Sequence, residues 1–301
     1  ILSTFLINSR IRKNIKKFKK EKKIFDANFS NNIKKELSYN LTTDQNNALN
    51  EINNDLKSEK KMFRLLQGDV GSGKTIVALI SCLNVVNSGY QVAFMAPTEI
   101  LAYQHYKLAQ SLVKDKMKIG FLTSKTDYSE RKKIIKDLEN SEIKILFGTH
   151  SVFQEKINYK KLGLVVIDEQ HKFGVKQRKK LSDKGGKNCD VLVMSATPIP
   201  RTMIMTVFGD MDVTIIKQKP KNRKPVKTYS KVDNKLNEII DFTKNQIKKG
   251  NQIFWVCPLI EESKKVDHQS AVQRYNNLKK IFKDKAGLLH GSLDKTDKDN
   301  I

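Results

Sequence analysis

The sequence has few of the features that stabilise secreted or membrane-embedded proteins. Its 301 residues include only three cysteines, Cys82, Cys189 and Cys257, which are far apart. An odd number at this spacing fits neither a disulfide framework nor a zinc ligand set. No stretch approaches the roughly 18 to 20 consecutive apolar residues that span a bilayer, and the apolar run at the beginning lacks a small-residue cleavage site. We therefore expect a cytoplasmic protein with no membrane association.

Acidic residues are also scarce relative to basic ones. The chain has 57 Lys and Arg against 32 Asp and Glu, a formal net charge of +25. The excess is concentrated in the two flanks, residues 1–40 and 216–301. A polyanionic partner fits this charge, because neutralising phosphates with Lys or Arg releases condensed counterions. A general lysine bias would produce the same count as solvated surface, so charge alone does not identify the partner.

The order of apolar runs predicts the fold class. From residue 61 to about residue 215, short apolar runs alternate with amphipathic stretches. This alternation predicts an α/β domain over residues 41–215, with a parallel sheet covered by helices on both faces. The predicted strands are FRLLQ, QVAFMA, KIGFLT, IKILFG, LGLVVID and DVLVMSA, and the predicted helices cover residues 75–87, 99–113 and 129–139.

The two flanks have a different organisation. Residues 1–23 mix apolar residues with a dense basic run, which predicts a helix with one cationic face inside a basic helical connector over residues 1–40. The stretch KQKPKNRKPV indicates a linker or an exposed hairpin. Residues 216–301 then predict the opening of a second α/β unit, with helices at 234–249 and 262–282 and strands QIFWVCP and AGLLH. So small a sheet buries too little apolar surface for a complete domain, and we expect it to be truncated.

A glycine-rich loop predicts a nucleoside triphosphate site. The segment GDVGSGKT matches G-x-x-x-x-G-K-[ST] and stands between an apolar strand and an apolar helix, as this motif requires. Its glycines allow backbone N–H groups to converge on phosphate oxygens, and the helix N-terminus adds partial positive charge. Lys74 would reach the β- and γ-phosphates, and the Thr75 hydroxyl would bind Mg²⁺. The predicted nucleotide-binding residues of this loop are Gly68, Gly71, Ser72, Gly73, Lys74 and Thr75.

A second motif supplies the carboxylates that hydrolysis needs. The apolar run LGLVVID ends in Asp168, which we expect at the C-terminal edge of the sheet as the carboxylate partner of Mg²⁺. Glu169 follows as the candidate general base for the attacking water. An Asp-Glu pair after a strand is weak evidence alone, but combined with the glycine-rich loop it favours ATP hydrolysis over transfer to a small acceptor.

These motifs resemble those of superfamily-two helicases. The full string is similar to that of the bacterial branched-DNA helicases within this superfamily and covers most of residues 37–293: RLLQGDVGSGKT, MAPTEILA, FGTHSVFQ, VVIDEQHKFGVKQR, VMSATPIPRT, FWVCPLIEES and GLLHGSL. Transcription-repair coupling translocases share GDVG and ATPIPRT but typically have Phe in place of Ser72 and a DEEH-type box in place of DEQH. The resemblance implies two RecA-like domains that use ATP to unwind or remodel forks and Holliday junctions in recombination and repair.

The resemblance also implies roles for residues around the nucleotide. Gln45 would read the adenine edge, and Tyr39 would stack on the base or belong to the core. Gln170 and His171, after the catalytic pair, would link the nucleotide to the SATP motif and so couple ATP state to domain movement. At the far end of this relay the resemblance places Ser195, Thr197 and Arg201. Arg201 would either form a functional ion pair or lie in solvent.

A further set of residues would contact the nucleic-acid backbone. Short hydroxyls and backbone amides at helix N-termini bind phosphate without reading sequence. Thr98 and Thr149 suit this role, and helix capping would account for them equally well. The complete set implied by the resemblance is Pro97, Thr98, Glu99, Gly148, Thr149 and His150.

The chain also departs from the family pattern. The N-terminal wedge domain and the later arginine-finger motif of the second motor domain are absent from the 301 residues. Without such an arginine we expect turnover about 10³- to 10⁵-fold lower. The alternatives are a nucleotide-gated DNA-binding fragment without significant turnover, a transcription-repair coupling-type translocase, and an RNA helicase of the same superfamily. A small-molecule kinase is disfavoured, and we expect a monomer.

Overall fold

The computed structural model describes most of the chain, which divides into two compact units. The described residues are 19–114, 116–154, 156–168, 186–197, 211–220, 226–232, 235–257, 271–291, 293 and 297. The first unit comprises Ile1–Lys224 and the second comprises Pro225–Ile301. Within the described ranges, no helix has both the length and the apolar character that a bilayer span requires.

Helices and strands alternate along the first unit. The helices are α1 (Ala27–Glu36), α2 (Thr43–Lys57), α3 (Lys74–Asn87), α4 (Glu99–Val113) and α5 (Tyr128–Glu139), and a short 3-10 helix covers His150–Phe153. The strands are β1 (Phe63–Gly68), β2 (Gln91–Met95), β3 (Lys118–Leu122), β4 (Ile143–Gly148), β5 (Leu162–Asp168), β6 (Asp190–Ser195) and β7 (Asp212–Ile216). All six predicted strands are present, and the three predicted helices differ from the observed ones by one residue at most.

The seven strands form one sheet in the order β3-β4-β2-β5-β6-β1-β7, and every pairing is parallel. The predicted α/β fold is thereby confirmed. The sequence analysis did not predict β7, which pairs with β1 at one edge of the sheet. This edge strand is short, and only Thr214 and Ile216 in it are buried, so it lacks the continuous apolar run that marks the central strands.

Two apolar layers enclose the central strands. Strand β5 is buried throughout, and its residues alternate between the layers. Leu164 and Val166 belong to the layer that contains residues of α2, α3 and α4, whereas Val165 and Ile167 belong to the layer that contains residues of α5. By the same alternation, Asp168 at the end of β5 lies on the face covered by α3 and α4.

The N-terminal segment differs from its prediction. Residues 19–26, here called the N-terminal strap, are not helical, and Lys19 forms an isolated antiparallel bridge with Lys60. Lys20 and Lys23 are buried and share the carboxylate of Asp190, each at 2.6 Å. The prediction of a helix with one cationic face is therefore wrong for residues 19–23, because two of its lysines form buried ion pairs. Residues 1–18 of this prediction lie outside the described part.

The second unit contains helix α6 (Leu236–Lys248) and helix α7 (Ala271–Phe282), which continues into a 3-10 helix at Lys283–Lys285. The predicted strands QIFWVCP and AGLLH are wrong for residues 252–257 and 286–290, where the backbone forms no strand. A strand requires a hydrogen-bonded neighbour, and the described residues of this unit include none. Phe254 and Val256 are each 87% exposed. The start of a second RecA-like domain stays a prediction.

Candidate nucleotide site and nucleic-acid interface

The glycine-rich loop joins the end of β1 to the beginning of α3. Gly68 ends β1, Lys74 begins α3, and the backbone between them has φ values of +74° at Gly71 and +89° at Gly73. At Gly73 a Cβ atom would lie 2.2 Å from Nε2 of Gln45, in addition to the strain of positive φ. Only glycine fits there, and the loop leads directly into the N-terminus of α3, where a helix carries the partial positive charge that suits an anion.

Two polar side chains of the loop are buried. The Lys74 ammonium donates hydrogen bonds to the carbonyl oxygens of Gly68 (2.7 Å) and Asp69 (3.1 Å). The Ser72 hydroxyl is fully buried and has no hydrogen-bond partner within the described residues. The Lys74 ammonium therefore lies beside the loop backbone that would surround the phosphates.

Gln45 ties helix α2 to this loop. Its Nε2 donates to the carbonyl oxygen of Ser72 at 2.7 Å, and its Oε1 accepts from the backbone N–H of Thr42 at 2.8 Å. The second bond belongs to a capping box in which Thr42 also accepts from the Gln45 N–H. The predicted contact of Gln45 with adenine stays a prediction. The structure shows in addition that Gln45 bonds helix α2 to the backbone of the glycine-rich loop. Tyr39 is 47% exposed, so it is not a core residue.

Asp168 lies at the same edge of the sheet as the loop. It pairs in register with Met194 of β6, and the following residue, Ser195, pairs with Gln67 of β1. Because these strands are parallel, all three C-terminal ends meet at one edge. The Asp168 carboxylate is buried, and its Oδ2 lies 2.7 Å from Nε2 of His105 on α4.

The donor set at this edge suits a hard divalent cation. The Asp168 carboxylate and the Thr75 hydroxyl both supply oxygen, the ligand type that Mg²⁺ prefers. Thr75 is the second residue of α3 and is half-buried. The described residues contain no cluster of three or more His, Cys, Asp or Glu side chains that could hold a metal without help from a substrate. Four predicted site residues, Glu169, Gln170, His171 and Arg201, lie outside the described part.

Ser195 and Thr197 form a small polar network with β1. Their hydroxyls are 2.9 Å apart, and the Thr197 N–H donates to the Ser195 hydroxyl at 3.3 Å. Gln67, the residue before the loop, donates from Nε2 to the Thr197 carbonyl at 3.2 Å. Its buried Oε1 has no partner in the described residues. The network joins the SATP segment to the strand that carries the nucleotide loop.

The predicted nucleic-acid residues follow β2 and β4. Thr98 is the N-cap of α4 and accepts from the Leu101 N–H at 3.3 Å, whereas the Thr149 side chain makes no capping bond. The Glu99 carboxylate accepts from the Thr123 hydroxyl and pairs with Lys125 at 3.2 Å. Pro97 precedes the cap, and His150 is exposed at the first position of the 3-10 helix. The structure brings these residues to the same sheet edge as the nucleotide loop, and their binding roles stay predictions.

Gly148 has a packing role that the sequence did not show. A Cβ atom at this position would lie 1.9 Å from the carbonyl oxygen of Leu122 on the neighbouring strand β3. Ser151 reinforces this approach by donating to the same carbonyl at 2.7 Å. The turn after β4 is therefore close-packed against β3.

The predicted linker begins attached to the first unit. The backbone N–H groups of Lys217 and Gln218 both donate to Oδ2 of Asp44, at 2.9 and 2.8 Å. The Lys219 ammonium lies 2.6 Å from the Asp69 carboxylate in the glycine-rich loop. This hydrogen bond holds the pKa of Asp69 below its ordinary value. The chain leaving β7 thus contacts both α2 and the loop.

Sequence reasoning missed His105 and Gln67. His105 stands among Ala102, Ala109 and Val113 on the buried stripe of α4. A polar residue within an apolar helical stripe was the available signal, although a buried histidine is an ordinary core residue in many proteins. Gln67 is the last but one residue of β1, immediately before the first glycine of the loop, and nothing in its spacing distinguishes it.

The chain is similar to several known proteins. Residues 42–206 match the family model described as DEAD/DEAH box helicase. The chain is 46% identical over 295 residues to ATP-dependent DNA helicase RecG of Thermotoga maritima, covering 97% of this chain and 38% of that protein. It is 48% identical over 270 residues to the RecG protein of Bacillus subtilis, covering 89% of this chain and 39% of that protein.

A solved structure of RecG bound to a three-way DNA junction is also similar. It aligns with a TM-score of 0.81 and 40% sequence identity, covering 99% of this chain and 39% of that one. The chain thus spans about two fifths of the length of the relatives it matches.

Proposed function

The chain belongs to the DEAD/DEAH box helicase family, and from this we propose that it supplies the ATP-hydrolysing motor of a DNA helicase that remodels branched DNA. The observation that carries the proposal is the position of Asp168, on the sheet face covered by α3 and at the edge where the glycine-rich loop lies. A motor of this type needs a loop for phosphate and a carboxylate for the metal within one cleft. An Asp168 on the opposite face could not serve it.

The residues of the site have separable tasks. Backbone N–H groups from Gly71 to Thr75 would bind the phosphates, and the Lys74 ammonium would exchange its carbonyl partners for phosphate oxygens. Thr75 and Asp168 would hold Mg²⁺, which when bound neutralises charge on the β- and γ-phosphates. Glu169 would accept the proton of the attacking water.

The remaining predicted residues would connect hydrolysis to movement. We assign Gln170, His171 and Arg201 to a relay with the Ser195 and Thr197 hydroxyls. Gln67 supports this assignment, because it joins Thr197 to the strand that ends in the loop. A change in the loop could reach the SATP segment through this bond.

DNA is the proposed partner of the edge that carries Thr98, Gly148, Thr149 and His150. The excess of basic residues supports a phosphate partner. Branched DNA is favoured because the RecG structure with 40% identity is bound to a three-way junction. We propose that the protein acts as a monomer in the cytoplasm.

The proposal is tested in the full-length encoded protein by DNA-stimulated ATP hydrolysis and fork unwinding. Lys74→Ala should lower kcat by about 10²- to 10³-fold, because one preorganised cation that stabilises transition-state charge is lost. Glu169→Gln should retain ATP binding and lose unwinding, because the charge that accepts the proton is removed. Lys144→Ala, which removes a partly exposed ammonium bonded to the carbonyl oxygen of Ser141 at 2.7 Å, is the control and should hydrolyse ATP as wild type does.

Two results would contradict the proposal. Unchanged hydrolysis by Lys74→Ala would remove the loop from the mechanism, and unchanged strand separation by Glu169→Gln would remove the general base. A preference for RNA over junction DNA in stimulating turnover would point instead to an RNA helicase.

A further inference from the structure

One hydrogen bond of the site involves a residue that the family motifs do not explain. Nε2 of His105 lies 2.7 Å from Oδ2 of Asp168, and the two side chains are only 8% and 11% exposed. When the carboxylate is ionised it can only accept, and Nε2 is then the donor. The bond occupies one carboxylate oxygen and leaves Oδ1 for a metal-bound water.

The imidazole ring is held firmly in this orientation. It packs on Phe94 of β2 with ring centroids 4.9 Å apart, and Phe94 in turn stacks on Phe147 of β4 at 5.1 Å. Both phenyl rings are fully buried. The ring therefore cannot turn away from Asp168 without disturbing the core under α4.

Helix α4 connects this bond to the predicted nucleic-acid edge. Thr98 caps the helix, and His105 follows two turns later, about 10 Å along the axis at 1.5 Å per residue. The same rigid helix thus carries a residue predicted to contact DNA and the partner of the predicted metal carboxylate.

We propose that His105 is a positioning residue, which orients the Asp168 carboxylate so that its free oxygen faces the metal bound to the triphosphate. The proposal rests on the proposed function, because it requires a metal-nucleotide site beside Asp168. Hydrogen-bonding partners of metal ligands commonly contribute about 10- to 100-fold in metal affinity or activity. A core histidine with no such role would contribute to stability alone.

Two substitutions separate positioning from packing. His105→Phe keeps an aromatic ring against Phe94 and removes the N–H donor, whereas His105→Gln keeps a donor that can reach Asp168. Gln91→Leu is the matched control, because it removes a buried side chain that donates to Leu138 and Ile143 at the opposite end of the sheet, both at 2.9 Å. Each variant is made in the full-length protein.

Three measurements apply to each variant. Mn²⁺ binding in the presence of ADP is measured by electron paramagnetic resonance, the Mg²⁺ dependence of kcat by steady-state hydrolysis, and the unfolding midpoint by thermal denaturation. We expect His105→Phe to weaken Mn²⁺ binding and raise half-saturating Mg²⁺ by about 10- to 100-fold. His105→Gln should recover most of the affinity. Gln91→Leu should lower the unfolding midpoint and leave metal binding unchanged.

The proposal is overturned if His105→Phe binds Mn²⁺ as wild type does, or if the Phe and Gln variants lose affinity equally. Lys74→Ala separates these outcomes from failure of the proposed function. Hydrolysis that depends on Lys74 but not on His105 would reject only the positioning role. A wild-type protein without hydrolysis would contradict the proposed function, and the Mn²⁺ measurement would still decide the role of His105.

Discussion

At the scale of single residues, the site depends on positions where the backbone approaches its neighbours closely. Gly73 leaves room for the Gln45 amide, and Gly148 leaves room for the Leu122 carbonyl. Gly73 stands in the loop that the sequence analysis identified by its phosphate-binding pattern, and Gly148 stands in a segment that the family resemblance implies. The structure shows that each glycine also serves packing, so loss of activity on substitution would not by itself identify a ligand contact.

Gly148→Ala should destabilise the first unit by about 3 kcal/mol or more, because the new methyl group would lie 1.9 Å from a backbone oxygen that cannot move away alone. Gly291→Ala is the control, since a Cβ there meets nothing within 4 Å and should change stability by less than about 0.5 kcal/mol. Urea unfolding of both variants measures the difference. Equal stability of Gly148→Ala and wild type would show that β3 and β4 do not approach as described.

Some of the individual site residues could be predicted from the sequence, and others could not. Lys74, Thr75 and Asp168 follow from motif spacing, because a loop after one parallel strand and a carboxylate after another must share an edge. His105 could not be predicted this way. Its partner is 63 residues away in sequence, and only the packing of α4 on the sheet, mainly on β3 and β4, brings them together.

At the scale of elements, the N-terminal strap is the clearest departure from expectation. Lys20 and Lys23 are buried at the N-terminal end of β6, where both are bonded to Asp190, the first residue of that strand. Lys20 also donates to the carbonyls of Asp55 and Leu56 at the end of α2. The charge pattern predicted a helix with one cationic face, because nothing in the local sequence indicates that the carboxylate partner of Lys20 lies 170 residues away.

Asp190→Asn should destabilise the protein by about 3–5 kcal/mol, because it leaves two buried ammonium groups without a compensating charge. Asp241→Asn is the control, since its ion pair with Lys244 is exposed and should contribute nothing measurable. Chemical denaturation compares the two. If Asp190→Asn unfolds at the same denaturant concentration as wild type, the lysines are not buried on this carboxylate.

The buried lysine Lys20 of the N-terminal strap should make the free energy of unfolding depend on pH. Burial lowers the pKa of Lys20 below its ordinary value of 10.5, against the opposing attraction of Asp190. Between the lowered pKa and 10.5 the folded state binds fewer protons than the unfolded state, so the free energy of unfolding should increase with pH across that interval. Urea unfolding from neutral pH to about pH 10.5 should show this increase in wild type and less of it in Lys20→Met.

Lys244→Met is the control for this series, because Lys244 is half-exposed and should leave the slope unchanged. A slope in Lys20→Met equal to that of wild type would show that Lys20 has the same pKa in both states.

The elements themselves were predictable where burial is complete. Strands buried on both faces form nearly continuous apolar runs, and β1, β2, β4, β5 and β6 were identified in this way. Edge strand β3, in which only Gly120 and Leu122 are buried, was identified from its short apolar run alone. Edge strand β7 and the unpaired segments 252–257 and 286–290 were not predicted correctly. Whether such a segment pairs depends on its neighbours, which local sequence does not specify.

At the scale of the whole molecule, the net charge of +25 should appear as a salt-dependent affinity for DNA. A protein that makes about 6–10 phosphate contacts loses about 10³- to 10⁵-fold in affinity between 50 and 200 mM salt. We expect the full-length protein to show a steep decrease on a three-way junction by fluorescence anisotropy. Its ATP affinity serves as the control for folding, and a flat response would show the basic flanks to be ordinary surface.

At this scale the proposed motor depends on the glycine-rich loop and the strand that ends in Asp168 binding a magnesium-bound triphosphate together. The most direct measurement is a crystal structure of the full-length protein with Mg²⁺ and a non-hydrolysable ATP analogue. We expect phosphate oxygens on the backbone N–H groups between Gly71 and Thr75, with Mg²⁺ bound by the Thr75 hydroxyl and, through water, by Asp168. Phosphates elsewhere, or Mg²⁺ bound without either side chain, would contradict it.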